Sequence, residues 1–153
     1  MITITENVDI EEFDAASGKL LSVQHVHNKV TVNGQLWLMN LIAGTSTYLH
    51  YFAIGTSATA PTAADTTLTA EVFRDQVTQY VTSSANNSGT AVGTLVVKYY
   101  LGTGSANGVT LQEAGVLDAA SSGNLFSHVT YTGIAKTSSN TITYTWTFTF
   151  TGD

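Results

Sequence analysis

The clearest hydrophobic pattern lies at the end of the chain. From Thr141 to Thr151, Ile142, Tyr144, Trp146, Phe148 and Phe150 alternate without a break with threonines 141, 143, 145, 147, 149 and 151. A period of two puts each set on its own face of a β-strand. The aromatic face can bury a large area, and the threonine face suits an exposed or contacting sheet surface. Further strands are expected over Leu20–Val32, Tyr48–Ile54 (ending at Gly55), Glu71–Thr82, Ala91–Leu101 and Leu125–Ala135, each rich in β-branched or aromatic residues. Turn-forming runs separate them: Ser84 to Gly89, Gly102 to Gly108, Ser121 to Asn124 and Ser138 to Asn140. Several strands with such punctuation predict an all-β fold, an antiparallel β-sandwich of jelly-roll-like type.

One short helix is expected. Asn33 would cap it, Gln35–Ile42 would bring Leu38, Leu41 and Ile42 onto one face, and Gly44 would stop it. Thr56–Leu68 holds the only proline and shows no periodicity, which predicts an extended loop. The first 17 residues gather Glu6, Asp9, Glu11, Glu12 and Asp14. That acidity predicts a flexible, extended N-terminal arm over residues 1–17, frayed or ordered against a neighbouring subunit, ahead of a single domain over 18–153. Deleting the arm is then expected to leave the fold intact.

Composition sharpens this picture. Only 10% of the 153 residues are charged, against 43% hydrophobic, where soluble domains are typically about a quarter charged. A surface of Thr, Ser, Asn and Gly hydrogen-bonds well and repels neighbours weakly, as a self-packing protein requires. Five basic and eleven acidic residues leave a net charge of −6, and Lys19, Lys29, Arg74, Lys98 and Lys136 are scattered. Phosphate neutralisation needs clustered basic residues, so neither nucleic acid nor anionic membrane is an expected partner. There is no cysteine, which excludes disulfide and thiolate chemistry. The first residues lack a basic n-region and an apolar h-region, so no signal peptide is expected. No apolar run approaches the ~20 residues of a membrane span.

Candidate chemistry is sparse. The glycines of Gly102–Gly108 miss the dinucleotide spacing and sit in an expected hairpin turn, and neither a phosphate loop nor a nucleophile elbow occurs. Glu113 with Asp118, and Glu71 with Asp75 around Arg74, are carboxylate pairs of the kind glycoside hydrolysis uses. An ion pair of Glu71 or Glu113 with Arg74 is the simpler expectation. No catalytic residue and no cofactor is therefore expected. His25 and His27 project from one face of a strand, and imidazole is the commonest nitrogen ligand for zinc, iron or nickel. Two ligands are too few for a closed site in one chain. Three copies on a three-fold axis would supply six nitrogens, or His50 would supply a third within the chain.

Two segments resemble virion structural proteins of tailed bacteriophages. In Phe52 to Arg74, a strand ending in glycine runs through a loop of small residues into Asp65-Thr-x-Leu68-x-x-Glu71-x-x-Arg74. Leu111-Gln-Glu-Ala-Gly-Val-Leu-Asp118 followed by Gly123-Asn-Leu-Phe126 is similar to the Glu-x-Gly-(aliphatic)-x-Asp … Gly-x-Leu pattern of tail-fibre and related proteins. The likeness spans roughly residues 48 to 151 and includes Ile134-Ala-Lys136. It implies a non-enzymatic virion component without a cofactor, made in the host cytoplasm. On the residues themselves, Gly115 lets the backbone pass close to a neighbour, and Asp65 closes the loop that delivers Leu68 to the core. The leading expectation is a capsid decoration (cement) protein, a homotrimer that clasps the major capsid protein. A tail fibre, collar or tip subunit is the second. The third is a carbohydrate- or receptor-binding module whose aromatics (Tyr99, Tyr100, Trp37 or Tyr131) stack on sugars.

Overall fold

The computed structural model describes residues 2–44 and 48–152. In chain order they form β1 (Ile2–Asp14), β2 (Leu20–Val26), β3 (Lys29–Val30), α1 (Val32–Ile42), β4 (Tyr51–Gly55), β5 (Glu71–Gln76), β6 (Gln79–Asn87), β7 (Thr90–Leu101), β8 (Val109–Leu117), β9 (Leu125–Lys136) and β10 (Asn140–Gly152). One antiparallel sheet, sheet A, has the order β2-β1-β10-β7-β6, and sheet B has the order β3-β9-β8-β4-β5. This is the expected all-β antiparallel sandwich with one short helix. The likeness to a jelly roll holds for the two facing sheets. The connections differ, because β1–β2, β4–β5, β6–β7 and β8–β9 each pair with the next strand inside one sheet.

The alternating C-terminal segment is the middle strand of sheet A. It pairs with β1 (Val8↔Trp146) and with β7 (Trp146↔Val97). Its inward residues Ile142, Tyr144, Trp146 and Phe148 are fully buried. They meet aromatic rings from sheet B: Phe52 lies 4.8 Å from Tyr144 and 5.9 Å from Trp146, and Phe126 lies 5.1 Å from Phe148. Such ring pairs add about 0.5–1.5 kcal/mol each beyond the area they bury. The phenols of Tyr131 and Tyr144 are 2.8 Å apart in the interior, each satisfying the other.

The flexible N-terminal arm is overturned. Ile2–Asp14 is an inner strand of sheet A, paired on one side with β10 and on the other with β2, and Val8 and Ile10 are wholly buried. The acidic residues hid a two-residue period. Glu6 and Glu12 share the inward face with Val8 and Ile10, where hydrogen bonds satisfy them. Glu6 accepts from Ser127 Oγ at 2.9 Å and from Asn28, and Glu12 accepts from Ser22 Oγ at 2.9 Å and Asn140 Nδ2 at 2.6 Å. Asp14 closes the following turn by accepting from the Ser17 amide at 2.8 Å.

Other boundaries move for local reasons. The expected strand Glu71–Thr82 is two strands, since the chain crosses from sheet B to sheet A at Val77–Thr78. The expected turn from Ser84 shrinks to Ser88–Gly89, both at positive φ (53° and 95°), which is the backbone a two-residue hairpin needs. Leu20–Val32 ends early, and the helix starts at Val32 with Thr31, not Asn33, as its cap: Thr31 Oγ1 accepts from the Gly34 amide at 2.9 Å. The helix packs Gly34 and Trp37 inward, with Leu38 and Leu41 against the core, while Ile42 is 81% exposed. Gly34 is required by contact, because a Cβ there would lie 2.2 Å from the Phe126 carbonyl oxygen.

Candidate functional site

The residues that carry the phage-protein resemblance converge on the outer face of sheet B, beneath the loop 56–70 that joins β4 to β5. In β8, residues 113–117 are buried on both faces of the strand. Toward the core point Ala114 and Val116; toward the loop point Glu113, Gly115 and Leu117. Leu68 dips from the loop into a small second core with Ala53, Leu117 and Leu125. Gly115 makes room for it: an added Cβ would lie 2.7 Å from Leu125 Cδ1 and 3.0 Å from Leu68 Cδ2. Gly55 serves the same purpose beside Glu113, whose Oε1 would be 2.3 Å from a Cβ at that position.

A buried charge relay fixes the loop. Glu113 accepts from the amides of Thr69 (2.9 Å), Ala70 (2.6 Å) and Ser57 (3.4 Å), so one carboxylate holds both ends of the loop. Its Oε2 also lies 3.0 Å from His128 Nε2, and His128 Nδ1 lies 2.8 Å from Asp65 Oδ2. Asp65 in turn accepts from the Thr62 amide at 2.9 Å and from Thr62 Oγ1 at 2.7 Å. The His128 and Glu113 side chains are 1% and 0% exposed. Burial alone would lower the His128 pKa, but Glu113 and Asp65 outweigh it and hold the imidazole above its ordinary value. Burial alone would raise the Glu113 pKa, yet His128 and the loop amides hold it below the usual carboxylate range. Asp65 is held low in the same way, against its own desolvation, by Thr62 and His128. The cluster is thus a histidine held between two carboxylates, an arrangement that favours its protonated form. Both ring nitrogens are taken up by these carboxylates, and the arrangement pins a loop.

Arg74 fixes the neighbouring loop. It makes a two-pronged ion pair with Glu71 (2.8 and 2.7 Å) and donates to the carbonyls of Ala119 (2.8 Å) and Ser122 (2.9 Å) between β8 and β9. Of the two expected partners of Arg74, Glu71 takes the role, and Glu113 is committed to His128. Asp118 accepts from the Asn124 amide at 2.7 Å, and Gly123 turns at φ 82°. Glu113, Asp118 and Glu71 are thus each committed to a separate loop contact.

His25 and His27 lie together on the outer face of sheet A, edging a polar groove of about 340 Å³ with Asn7, Asp9 and Thr147. His25 Nδ1 is 2.7 Å from Asp9 Oδ1, an exposed contact, and His27 Nδ1 is 3.5 Å from the Glu6 carbonyl. Asp9 is the neighbouring carboxylate that the sequence spacing did not reveal. His50 does not join them: its ring packs against Tyr48 and Tyr51 beside sheet B. Among the described residues no three His, Cys, Asp or Glu side chains converge on a point where a metal would sit. Of the four aromatics expected to stack on sugars, Trp37, Tyr99 and Tyr131 belong to the core, and Tyr100 alone is exposed (52%). Among the described residues no helix is long and apolar enough to cross a membrane. Compared with protein-family models, with curated proteins and with solved structures, the chain matches none.

Proposed function

We propose that this protein is a non-enzymatic structural component of a tailed-phage virion, a decoration subunit that binds the assembled capsid shell. The observation that carries the reading is the coherence of the resemblance. Asp65, Leu68, Glu71, Arg74, Glu113, Gly115, Asp118 and Gly123 are separated in sequence, yet each holds or makes room for one of the two loops on the outer face of sheet B. A motif built of loop-fixing residues presents a rigid loop surface for contact with another protein. On sheet A, the uncharged threonine row of β10 supports the same reading.

Its partners are copies of itself, in the expected three-fold grouping, and the major capsid protein. A subunit that binds only the assembled shell favours the intact state by mass action. The test is to add purified protein to heads lacking it and to measure co-sedimentation and head survival on heating. Saturable binding with delayed head rupture supports the proposal. Association with purified tails and not with heads would replace it with the second reading, a fibre, collar or tip subunit.

A further inference from the structure

The four sheet edges are guarded unequally. A strand edge presents unpaired N–H and C=O groups, which natural proteins blunt with charge, proline, bulges or brevity. In sheet B, β3 is two residues long and carries Lys29, and β5 carries Glu71, Arg74 and Asp75. In sheet A, the register of β2 against β1 shifts at Glu12/Phe13, and Gln24 is clamped to Thr132 of sheet B by bonds of 2.9 and 2.8 Å. The other edge of sheet A, β6, has none of these devices. Gln79–Asn87 (Gln-Tyr-Val-Thr-Ser-Ser-Ala-Asn-Asn) contains no charged residue and no proline. It runs in unbroken register with β7, and all nine residues are exposed.

We infer that the free edge of β6 is an interface at which a second copy of this chain adds its own β6, antiparallel, about a two-fold axis at Ser83. The partner's identity rests on the assembly reading and on charge. Two chains of net charge −6 repel, and β6 brings no charged side chain to the contact. Centred on Ser83, the pairing sets Gln79 opposite Asn87, Tyr80 opposite Asn86, Val81 opposite Ala85 and Thr82 opposite Ser84, with no like charges opposed. Tyr80, 43% exposed and on the same face as Ser84, then arrives beside an apolar hollow of about 300 Å³ whose lining includes Ser84, Gly93 and Phe150, while Val81, also 43% exposed, meets Ala85 on the opposite face. Antiparallel addition satisfies both edges at once, and a two-fold contact is self-complementary. Whatever grouping is made elsewhere, this contact joins copies in pairs across a two-fold.

The test is Ser83→Lys, which puts two ammonium groups side by side at the axis and leaves the fold's own ladder intact. Val81→Lys is the second variant. Light scattering should give the wild type at least twice the mass of either variant. Backbone amides of 79–87 that face away from β7 should exchange slowly in the wild type and fast in the variants. Equal masses for wild type and variants, or fast exchange along that edge in the wild type, would overturn the inference. Head binding is assayed separately: a wild type that self-associates with β6 free leaves the virion reading standing, and paired β6 edges without head binding leave the edge standing.

Discussion

Replacing Glu113 with Gln tests the loop lock with no change of shape. The side chain is fully buried and accepts four hydrogen bonds, two at each oxygen: Ala70 and Ser57 amides at Oε1, Thr69 amide and His128 at Oε2. An amide has one oxygen, so either orientation turns an NH₂ toward two donors. A stranded buried donor costs about 1–3 kcal/mol, and opening a buried charge pair about 3–5 kcal/mol. The two estimates overlap, and a loss of about 3–5 kcal/mol is expected. In a chain of this size each kcal/mol moves Tm by about 2–4 °C, so the variant should melt about 6–20 °C lower. Calorimetry gives the number, and proteolysis should cut the variant first within loop 56–70. Asp9→Asn is the control: it alters one partner of the exposed His25 contact (side chains 75% and 45% exposed), a type usually worth about 0–1 kcal/mol. If Glu113→Gln melts within about 1 kcal/mol of wild type, the reasoning fails, since two stranded donors cannot be that cheap.

Three further outcomes follow from the same geometry. His128 is held above its unfolded value, so its contribution is complete below about pH 6.5 and is lost as pH rises through the folded pKa; Glu113 and Asp65 are held low, so theirs is present above about pH 4 and lost as pH falls. Stability by urea titration should peak between these limits, and a profile flat from pH 5 to 9 would count against an imidazolium at this site. Glu6 is the opposite case: burial, outweighing Ser127 and Asn28, raises its pKa, so the ionised form is disfavoured in the fold. Glu6→Gln should melt higher at pH 7, with the gain vanishing below about pH 4; a lower Tm at pH 7 would refute it. Removing residues 2–14 takes out an inner strand with Val8 and Ile10, and circular dichroism should show no cooperative melt. A folded truncation would mean that β10 does not need its partner.

The sandwich was legible where one face is buried and the other wet, because only there does a strand write its period into composition. β10 is such a strand, with five aromatic or aliphatic residues against six threonines. β8 is covered on both faces, by the core and by loop 56–70, so Glu113–Leu117 shows no alternation. Its best signal was a carboxylate inside a run of small and aliphatic residues, a place that only a hydrogen-bonded charge can occupy. β1 alternates, but two of its inward positions are Glu6 and Glu12, and their donors come from residues as distant as Ser127 and Asn140. A carboxylate facing the core and one facing water are spelled alike, and only tertiary partners separate them. The same limit governed the histidines. The pair at 25 and 27 drew notice by spacing, whereas His128 is placed by a strand pairing (Gly115↔His128) and a loop more than 50 residues away. A lone histidine between Ser127 and Val129 carries no local sign of the two carboxylates that flank it.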